Sequence, residues 1–149
     1  MLIEPIRVEP GGARVELRFP APVARVFSTL SDLRTMETWW PEHRTYKLLR
    51  GDGGAGSLYG WTYRIFGLPL AGVTRVLTRD ADERFTYRAG MPGVGILLDY
   101  RFAPDGDDAR VSVTLRTVLA RLPGFAGRLI PEMTRSYDKL EALVSRRPG

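Results

Sequence analysis

The sequence lacks several residue types that particular kinds of functional site require. Its 149 residues include no cysteine and a single histidine, His43. The missing cysteines exclude a thiol nucleophile, a zinc–thiolate centre and a disulfide framework, and one histidine cannot form a multi-histidine metal cage. No stretch approaches the roughly 18 apolar residues of a membrane span, and the acidic N-terminal segment does not resemble a secretory leader. We therefore expect one cytoplasmic domain over residues 1–149, with no metal, no cofactor and no integral membrane association.

Lysine is also scarce, so arginine dominates the positive charge. Only Lys47 and Lys139 are lysines among 22 basic residues, and the formal net charge is +5. The arginines are scattered singly, and the one adjacent pair is Arg146 and Arg147 near the C-terminus. Nucleic-acid-binding surfaces usually concentrate their cations in a run or on one face. We therefore expect no nucleic-acid partner.

Alternation of apolar and polar residues predicts an antiparallel sheet. In the first strand, 14–19, the residues Val15, Leu17 and Phe19 share one face. Further strands are expected at 44–50, 57–66, 70–79, 84–89, 95–103 and 109–119. The turns between them are too short for parallel crossovers, which excludes the doubly wound folds. The glycines of 51–56 spell G-x-G-x-x-G, but a strand follows them where a dinucleotide site needs a helix.

Helical spacing predicts two short helices after the first strand and a long one at the end. The short helices begin after Pro22 and Asp32, and the long helix covers about 123–145. Its apolar stripe is formed by Ile130, Met133, Tyr137, Leu140 and Val144. Glu132 is expected away from this stripe, and Pro131 should kink the helix towards either a cavity or solvent. A seven-stranded sheet needs a cover, and the long helix is the element that can supply it.

The opening of the chain resembles the START/polyketide cyclase (SRPBCC) superfamily. The likeness lies in Val15–Phe27 (VELRFPAPVARVF), in Leu30-Ser31-Asp32 and in Trp39-Trp40-Pro41, and 133–144 is similar to the final helix of that family. The resemblance covers nearly the whole chain but specifies architecture rather than chemistry. It implies an α+β helix-grip fold, in which the sheet wraps around the C-terminal helix and encloses a deep apolar cavity. Known members include lipid and sterol carriers, hormone receptors and aromatase/cyclases.

Aromatic residues on the strands and the last helix are the candidate ligand-binding residues. Tyrosines in an apolar lining supply the few polar anchors that small-molecule sites use. We predict that the cavity is lined by Trp39, Trp61, Tyr63, Tyr87, Tyr100, Phe102, Met133 and Tyr137, and that its entrance is formed by Met91, Val94 and Phe125. Plain core packing would give the same pattern. The inward face of 57–66 stays open, because Leu58 and Phe66 make its other face apolar too.

The sequence favours a binding protein over an enzyme. The first hypothesis is binding or transport of a lipid, an isoprenoid quinone or an aromatic polyketide by a monomer or homodimer. The alternative is a polyketide cyclase/dehydrase-type enzyme acting on a poly-ketone in the same cavity. The strand charges to consider for it are Arg64, Arg75, Arg116 and Asp99, although alternation points the last two outward. A third hypothesis, a protein–protein module, would require a large exposed apolar patch. No catalytic residue is identified.

Overall fold

One curved antiparallel sheet packs against three helices. The computed structural model describes residues 2, 5–40, 43–65, 68–91 and 93–145, with the backbone alone at 43, 44 and 65. The strands are β1 (Arg7–Glu9), β2 (Gly12–Phe19), β3 (His43–Arg50), β4 (Leu58–Ile65), β5 (Leu68–Asp80), β6 (Arg84–Met91), β7 (Val94–Asp105) and β8 (Asp108–Thr117). The helices are α1 (Val23–Leu30), α2 (Met36–Trp39) and α3 (Phe125–Val144), with 3₁₀ turns at Leu33–Thr35 and Val118–Arg121.

The strand order is β1-β2-β8-β7-β6-β5-β4-β3, which confirms the α+β helix-grip architecture. The sheet has eight strands, so the prediction of seven was wrong by one edge strand, β1. Its three residues pair with β2 and are mostly exposed, so they carry no apolar alternation that would have indicated a strand. No helix within the described residues is long and apolar enough to cross a membrane.

The register fixes the inward face of β4, which the sequence left open. Tyr59 pairs with Thr74, and Trp61 pairs with Gly72 on β5. Directly opposed residues of an antiparallel pair lie on the same face of the sheet. Tyr59 and Thr74 are buried, so the face with Trp61 is the inner one and Leu58 lies on the outer one. Phe66 is outside the described residues.

The inner face of α3 differs from the predicted stripe at two positions. Leu129 is 7% exposed while Ile130 is 36% exposed, and Glu132 is buried at 8% exposure. Leu129 lies four residues before Met133, and Ile130 lies three residues before it. Leu129, at the four-residue spacing, is the one that shares the inward face with Met133. The predictions that Ile130 belongs to the stripe and that Glu132 lies away from it were therefore wrong.

The two ends of the sheet differ in their connections. At one end, here called the open end, the β4–β5 turn joins Ile65 to Leu68, the β6–β7 turn joins Met91 to Val94, and α3 begins after β8. At the opposite end lie the β3–β4, β5–β6 and β7–β8 turns. The glycine-rich segment 51–56 forms the β3–β4 turn, and the strand expected after it is β4.

Asp99, on the outer face of β7, holds a cluster of charges together. Its carboxylate accepts hydrogen bonds from Arg84 Nε and from Thr86 Oγ1, each at 3.1 Å, and Arg101 Nε lies 3.5 Å away. Desolvation raises the pKa of Asp99, but the hydrogen bonds from Arg84 and Thr86 outweigh it and hold the pKa below its usual value. The charged carboxylate therefore stabilises the fold.

We expect Asp99→Asn to lower the free energy of unfolding at neutral pH by roughly 0.5–1 kcal/mol, a small effect because solvent screens this partly exposed cluster. A depressed folded-state pKa gives stability that is present above the unfolded pKa of about 3.9 and is lost as the pH falls through the folded pKa. Urea unfolding at about pH 7 and at about pH 2 gives the free energy of unfolding with the Asp99 carboxylate charged and with it protonated. The gap between variant and wild type should close in acid, and a constant gap would contradict the electrostatic account.

Candidate functional site

Five of the predicted lining residues form the centre of the core between the sheet and α3. Trp39, Tyr87, Tyr100, Met133 and Tyr137 are each exposed by 2% or less. The ring centroids of Trp39 and Tyr137 are 6.1 Å apart, and those of Tyr87 and Tyr100 are 6.3 Å apart. These rings are at packing distance from one another, so the deep part of the interior is filled by aromatic side chains.

Tyrosine hydroxyls are paired inside this apolar centre. The hydroxyls of Tyr100 and Tyr137 lie 3.1 Å apart, one on β7 and one on α3. Burial raises the pKa of Tyr87, Tyr100 and Tyr137 well above the ordinary value. All three phenols are therefore neutral at physiological pH, where they act as hydrogen-bond donors and acceptors rather than as bases.

A second buried network joins β3, β4 and β5. Thr74 Oγ1 lies 2.5 Å from the hydroxyl of Tyr46 and accepts a hydrogen bond from Trp61 Nε1 at 2.9 Å. Desolvation raises the pKa of Tyr46 as well. Sequence reasoning missed Tyr46 and Thr74, although Thr74 follows the alternation of β5 inward. This network holds the indole of Trp61 in a fixed orientation on the inner face.

At the open end, inward-facing apolar side chains remain partly exposed. Trp61, Tyr63 and Phe125 pack against the core without being fully covered, and the rings of Trp61 and Tyr63 are 6.3 Å apart in an edge-to-face arrangement. Met91 and Val94, paired across the β6–β7 turn, are partly exposed beside them. The apolar interior thus continues to the surface here, among the residues predicted to form the entrance.

Phe102 lies apart from the other predicted lining residues. Its ring packs edge-on against Phe27 of α1, with 5.1 Å between the centroids, and the guanidinium of Arg79 lies 5.7 Å from the centre of the Phe27 ring. Phe102 is close to the β7–β8 turn, at the end of the sheet opposite the opening. It therefore joins the sheet to α1.

Glu132 is a buried carboxylate that the sequence did not assign to the site. It accepts hydrogen bonds from Trp40 Nε1 at 3.4 Å and from the hydroxyl of Tyr63. These contacts connect α3 to the end of α2 and to the part of β4 near the open end. The sequence contains one signal for the burial of Glu132. Glu132, Ser136 and Leu140 are spaced four residues apart, so they share one face of the helix, and Leu140 belongs to the predicted apolar stripe.

Ser136 places an unsatisfied hydroxyl in the interior, one turn after Glu132. Its side chain is completely buried, and Oγ has no hydrogen-bond partner among the described residues. A buried polar group without a partner costs about 1–3 kcal/mol, and such groups in native proteins call for an explanation such as an ordered water or a ligand atom. Ser136 therefore places a polar group in the apolar interior, on the same side of α3 as Glu132.

The strand charges considered for an enzyme do not reach the interior. Arg64, Arg75 and Arg116 are exposed, and Asp99 lies on the outer face with Arg84. Pro131 and Gly127 of α3 are exposed as well, so the proline faces solvent rather than a cavity. The side chain of His43, the single histidine, is outside the described residues.

A shallow depression of about 940 Å³ lies on the outer face of the sheet, on the other side from these residues. Val73, Leu77 and Arg88 line it, and it extends to Met91 and Val94 at the open end. It contains none of the buried tyrosines or the Ser136 hydroxyl. The chemically distinctive groups of the molecule therefore lie on the inner side.

Comparison with known proteins points to one family. A family model described as polyketide cyclase / dehydrase and lipid transport matches residues 11–145, which is most of the chain. No curated protein sequence matches the chain.

Solved structures of low sequence identity share the fold. Protein CV1439 from Chromobacterium violaceum superposes with a TM-score of 0.75 at 23% identity, over 93% of this chain and 100% of that one. Protein Ms6760 from Mycobacterium smegmatis gives 0.77 at 16% identity, over 98% and 99%. A START superfamily protein from the same organism gives 0.73 at 18% identity, over 91% and 97%. The likeness is one of architecture.

Proposed function

Since the chain belongs to the polyketide cyclase/dehydrase and lipid transport family, we propose that it binds a hydrophobic small molecule between the sheet and α3. The class we favour is a lipid, an isoprenoid quinone or an aromatic polyketide. The observation that carries the proposal is the buried, unpartnered hydroxyl of Ser136 within an apolar interior that reaches the surface at the open end. Small-molecule sites combine such an apolar lining with a few polar groups. We further propose a cytoplasmic monomer or homodimer without a nucleic-acid partner.

The proposed binding residues fall into three groups by depth. Met91, Val94 and Phe125 form the rim, and Trp61 and Tyr63 form the wall just inside it. The floor is formed by Trp39, Tyr87, Tyr100, Met133 and Tyr137, with Phe102 beyond it. Glu132 and Ser136 supply the polar contacts along α3.

Because the rings already fill the floor, a ligand has to move parts of the rim. Two glycines lie at positions where this movement would occur. Gly93 is in the β6–β7 turn with φ +83°, and Gly124 comes immediately before α3 with φ +82°. Glycine adopts these backbone angles without steric cost, and hinge positions absorb such angle changes when a site opens.

Tryptophan fluorescence tests the proposal directly, because Trp61 lies in the wall. We expect decylubiquinone, palmitate or anthraquinone to change the emission of the purified protein in a saturable way, with one molecule bound per chain. Trp61→Phe should lose most of the change, whereas Leu49→Ala, at an exposed position of β3, should keep it. Native mass spectrometry provides an independent readout as added mass that disappears on unfolding. A linear, unsaturable response to all three compounds, with no added mass, would reject the proposal.

The contact between Glu132 and Tyr63 supports a second candidate function, an enzyme of the cyclase/dehydrase type. In this reaction the Tyr63 hydroxyl would leave Glu132 and donate its hydrogen bond to a ketone oxygen of a poly-ketone, and the freed carboxylate would accept a proton from the adjacent activated methylene, leaving an enolate. General acid–base groups typically contribute 10²–10⁴-fold to a rate. Glu132→Gln should therefore lower turnover of a linear poly-ketone thioester about 100-fold or more while binding persists. If the wild type and the variant turn over the thioester at equal rates, the enzyme hypothesis is wrong and only the binding function remains.

A further inference from the structure

Large apolar side chains stand exposed around the open end. Leu68 at the start of β5 is 65% exposed, Val118 after β8 is 60% exposed, and Leu122 before α3 is 57% exposed. Two arginines are exposed at the same end, Arg64 four residues before Leu68 and Arg121 directly before Leu122, and neither forms an ion pair within the described residues. These five residues are called the open-end surface below.

The distribution of acidic residues makes this surface electrostatically distinct. From Val118 to Pro131 the sequence contains two arginines and no acidic residue. The sequence of 64–69 and of 90–95, around the β4–β5 and β6–β7 turns, also contains none. Glu9, at the end of the neighbouring strand β1, pairs its carboxylate with Arg14 at 3.2 Å.

The turns at the opposite end are strongly acidic. They contain Asp52, Asp80, Asp82, Glu83, Asp105, Asp107 and Asp108. Some of these carboxylates are paired, since Arg18 Nε lies 3.5 Å from Asp105 and 3.1 Å from Asp108. The exposed apolar residues therefore lie at the end where the described turns carry the fewest carboxylates, and a positive patch of this kind orients a protein towards an anionic surface.

We propose that the open-end surface docks on an anionic phospholipid bilayer. Leucine and valine side chains at this position would enter the headgroup region, while arginine guanidinium groups pair with lipid phosphates and carboxylates. The partly exposed side chains of Trp61 and Phe125 would then face the bilayer. The proposal goes beyond ligand binding and does not depend on it, because docking is measured without any added ligand.

Vesicle co-sedimentation tests the docking. We expect the full-length protein to bind vesicles of phosphatidylcholine with about 30% phosphatidylserine, and to bind much less to pure phosphatidylcholine. Each arginine near such a surface contributes about fivefold in affinity. The double variant Arg64→Glu/Arg121→Glu should therefore bind at least roughly 25-fold more weakly, and Leu122→Asp should bind at least about tenfold more weakly because it places a charge where an apolar side chain would insert.

Matched controls place the same changes away from the open end. Arg25→Glu on α1 and Leu143→Asp near the end of α3 alter exposed residues of the same types, and both should bind as the wild type does. Circular dichroism melts verify that each variant is folded. Equal binding to both vesicle types, equal losses in the control variants, or no binding by the wild type would overturn the proposal. So would a concentration-dependent dimer that Leu122→Asp dissociates, because a second copy would then occupy the surface.

Discussion

Raising the pH above about 10 should unfold the protein in a single cooperative step. Five tyrosines, Tyr46, Tyr59, Tyr87, Tyr100 and Tyr137, are each exposed by 3% or less, and burial raises the pKa of every one of them. In the unfolded chain these phenols ionise near pH 10. A raised folded-state pKa means that their contribution to stability is present below about pH 10 and is lost as the pH rises above it.

The expected effect is large because the five groups act together. Each contributes a slope of about 1.4 kcal/mol per pH unit, so the free energy of unfolding should fall by roughly 7 kcal/mol for each unit. A domain with the usual stability of about 5–15 kcal/mol would then unfold between about pH 11 and 12. In Tyr137→Phe the slope should decrease by about a fifth, since one titrating group is removed.

Two signals measured on the same samples decide the outcome. Far-ultraviolet circular dichroism follows the fold, and near-ultraviolet absorbance follows tyrosinate formation. Most of the tyrosinate absorbance should appear together with the loss of circular dichroism. Full ionisation near pH 10 with the dichroism intact would show that the phenols of Tyr87, Tyr100 and Tyr137 are accessible to hydroxide in the folded protein, contrary to their burial.

The fold could be predicted because its signals are local. Alternation at Val15, Leu17 and Phe19 and the short turns require antiparallel strands, and one long amphipathic helix remains to cover them. The edge strand β1 could not be predicted in this way, because its three residues are held by pairing with β2 rather than by burial. Local patterns therefore predict elements that are buried on one face, and they miss those that depend on a neighbour.

The candidate site could be predicted in part. The aromatic residues do lie on the inner side, but sequence cannot distinguish a filled core from a lining, since both use the same residue types. Glu132 was missed for a different reason. A carboxylate next to Pro131 looks like a solvent-facing residue, and its burial depends on hydrogen bonds from Trp40 and Tyr63, which are distant in sequence.

Replacing Gly72 by alanine should destabilise the protein and displace Trp61. The indole lies against the backbone of Gly72, so a Cβ atom there would come within 2.4 Å of Trp61 Cζ2 and 2.6 Å of the Gly90 carbonyl oxygen. The second contact is with the backbone of β6, which cannot move without disturbing the pairing of β5 and β6. We expect a loss of about 2 kcal/mol, as for other overpacking substitutions, and a melting temperature lower by roughly 4–8 °C.

Gly60 provides a matched control on the adjacent strand. A Cβ atom there would meet Leu49 Cδ1 at 3.0 Å, and the Leu49 side chain is 62% exposed and free to rotate away. Gly60→Ala should therefore change the stability by no more than about 0.5 kcal/mol, with a small gain possible from the reduced entropy of the unfolded chain. Equal melting temperatures for the two variants would show that Trp61 is not held against Gly72.

The fluorescence of the Gly72→Ala variant connects this packing to the proposed function. Displacing the indole breaks the hydrogen bond from Trp61 Nε1 to Thr74, so the emission of the free protein should shift to longer wavelength as Trp61 becomes more solvated. The response to decylubiquinone should weaken at temperatures where the variant is still folded. If the variant instead keeps the full response, Trp61 is not part of the binding wall, and the ligand must contact the protein elsewhere along α3, nearer Ser136.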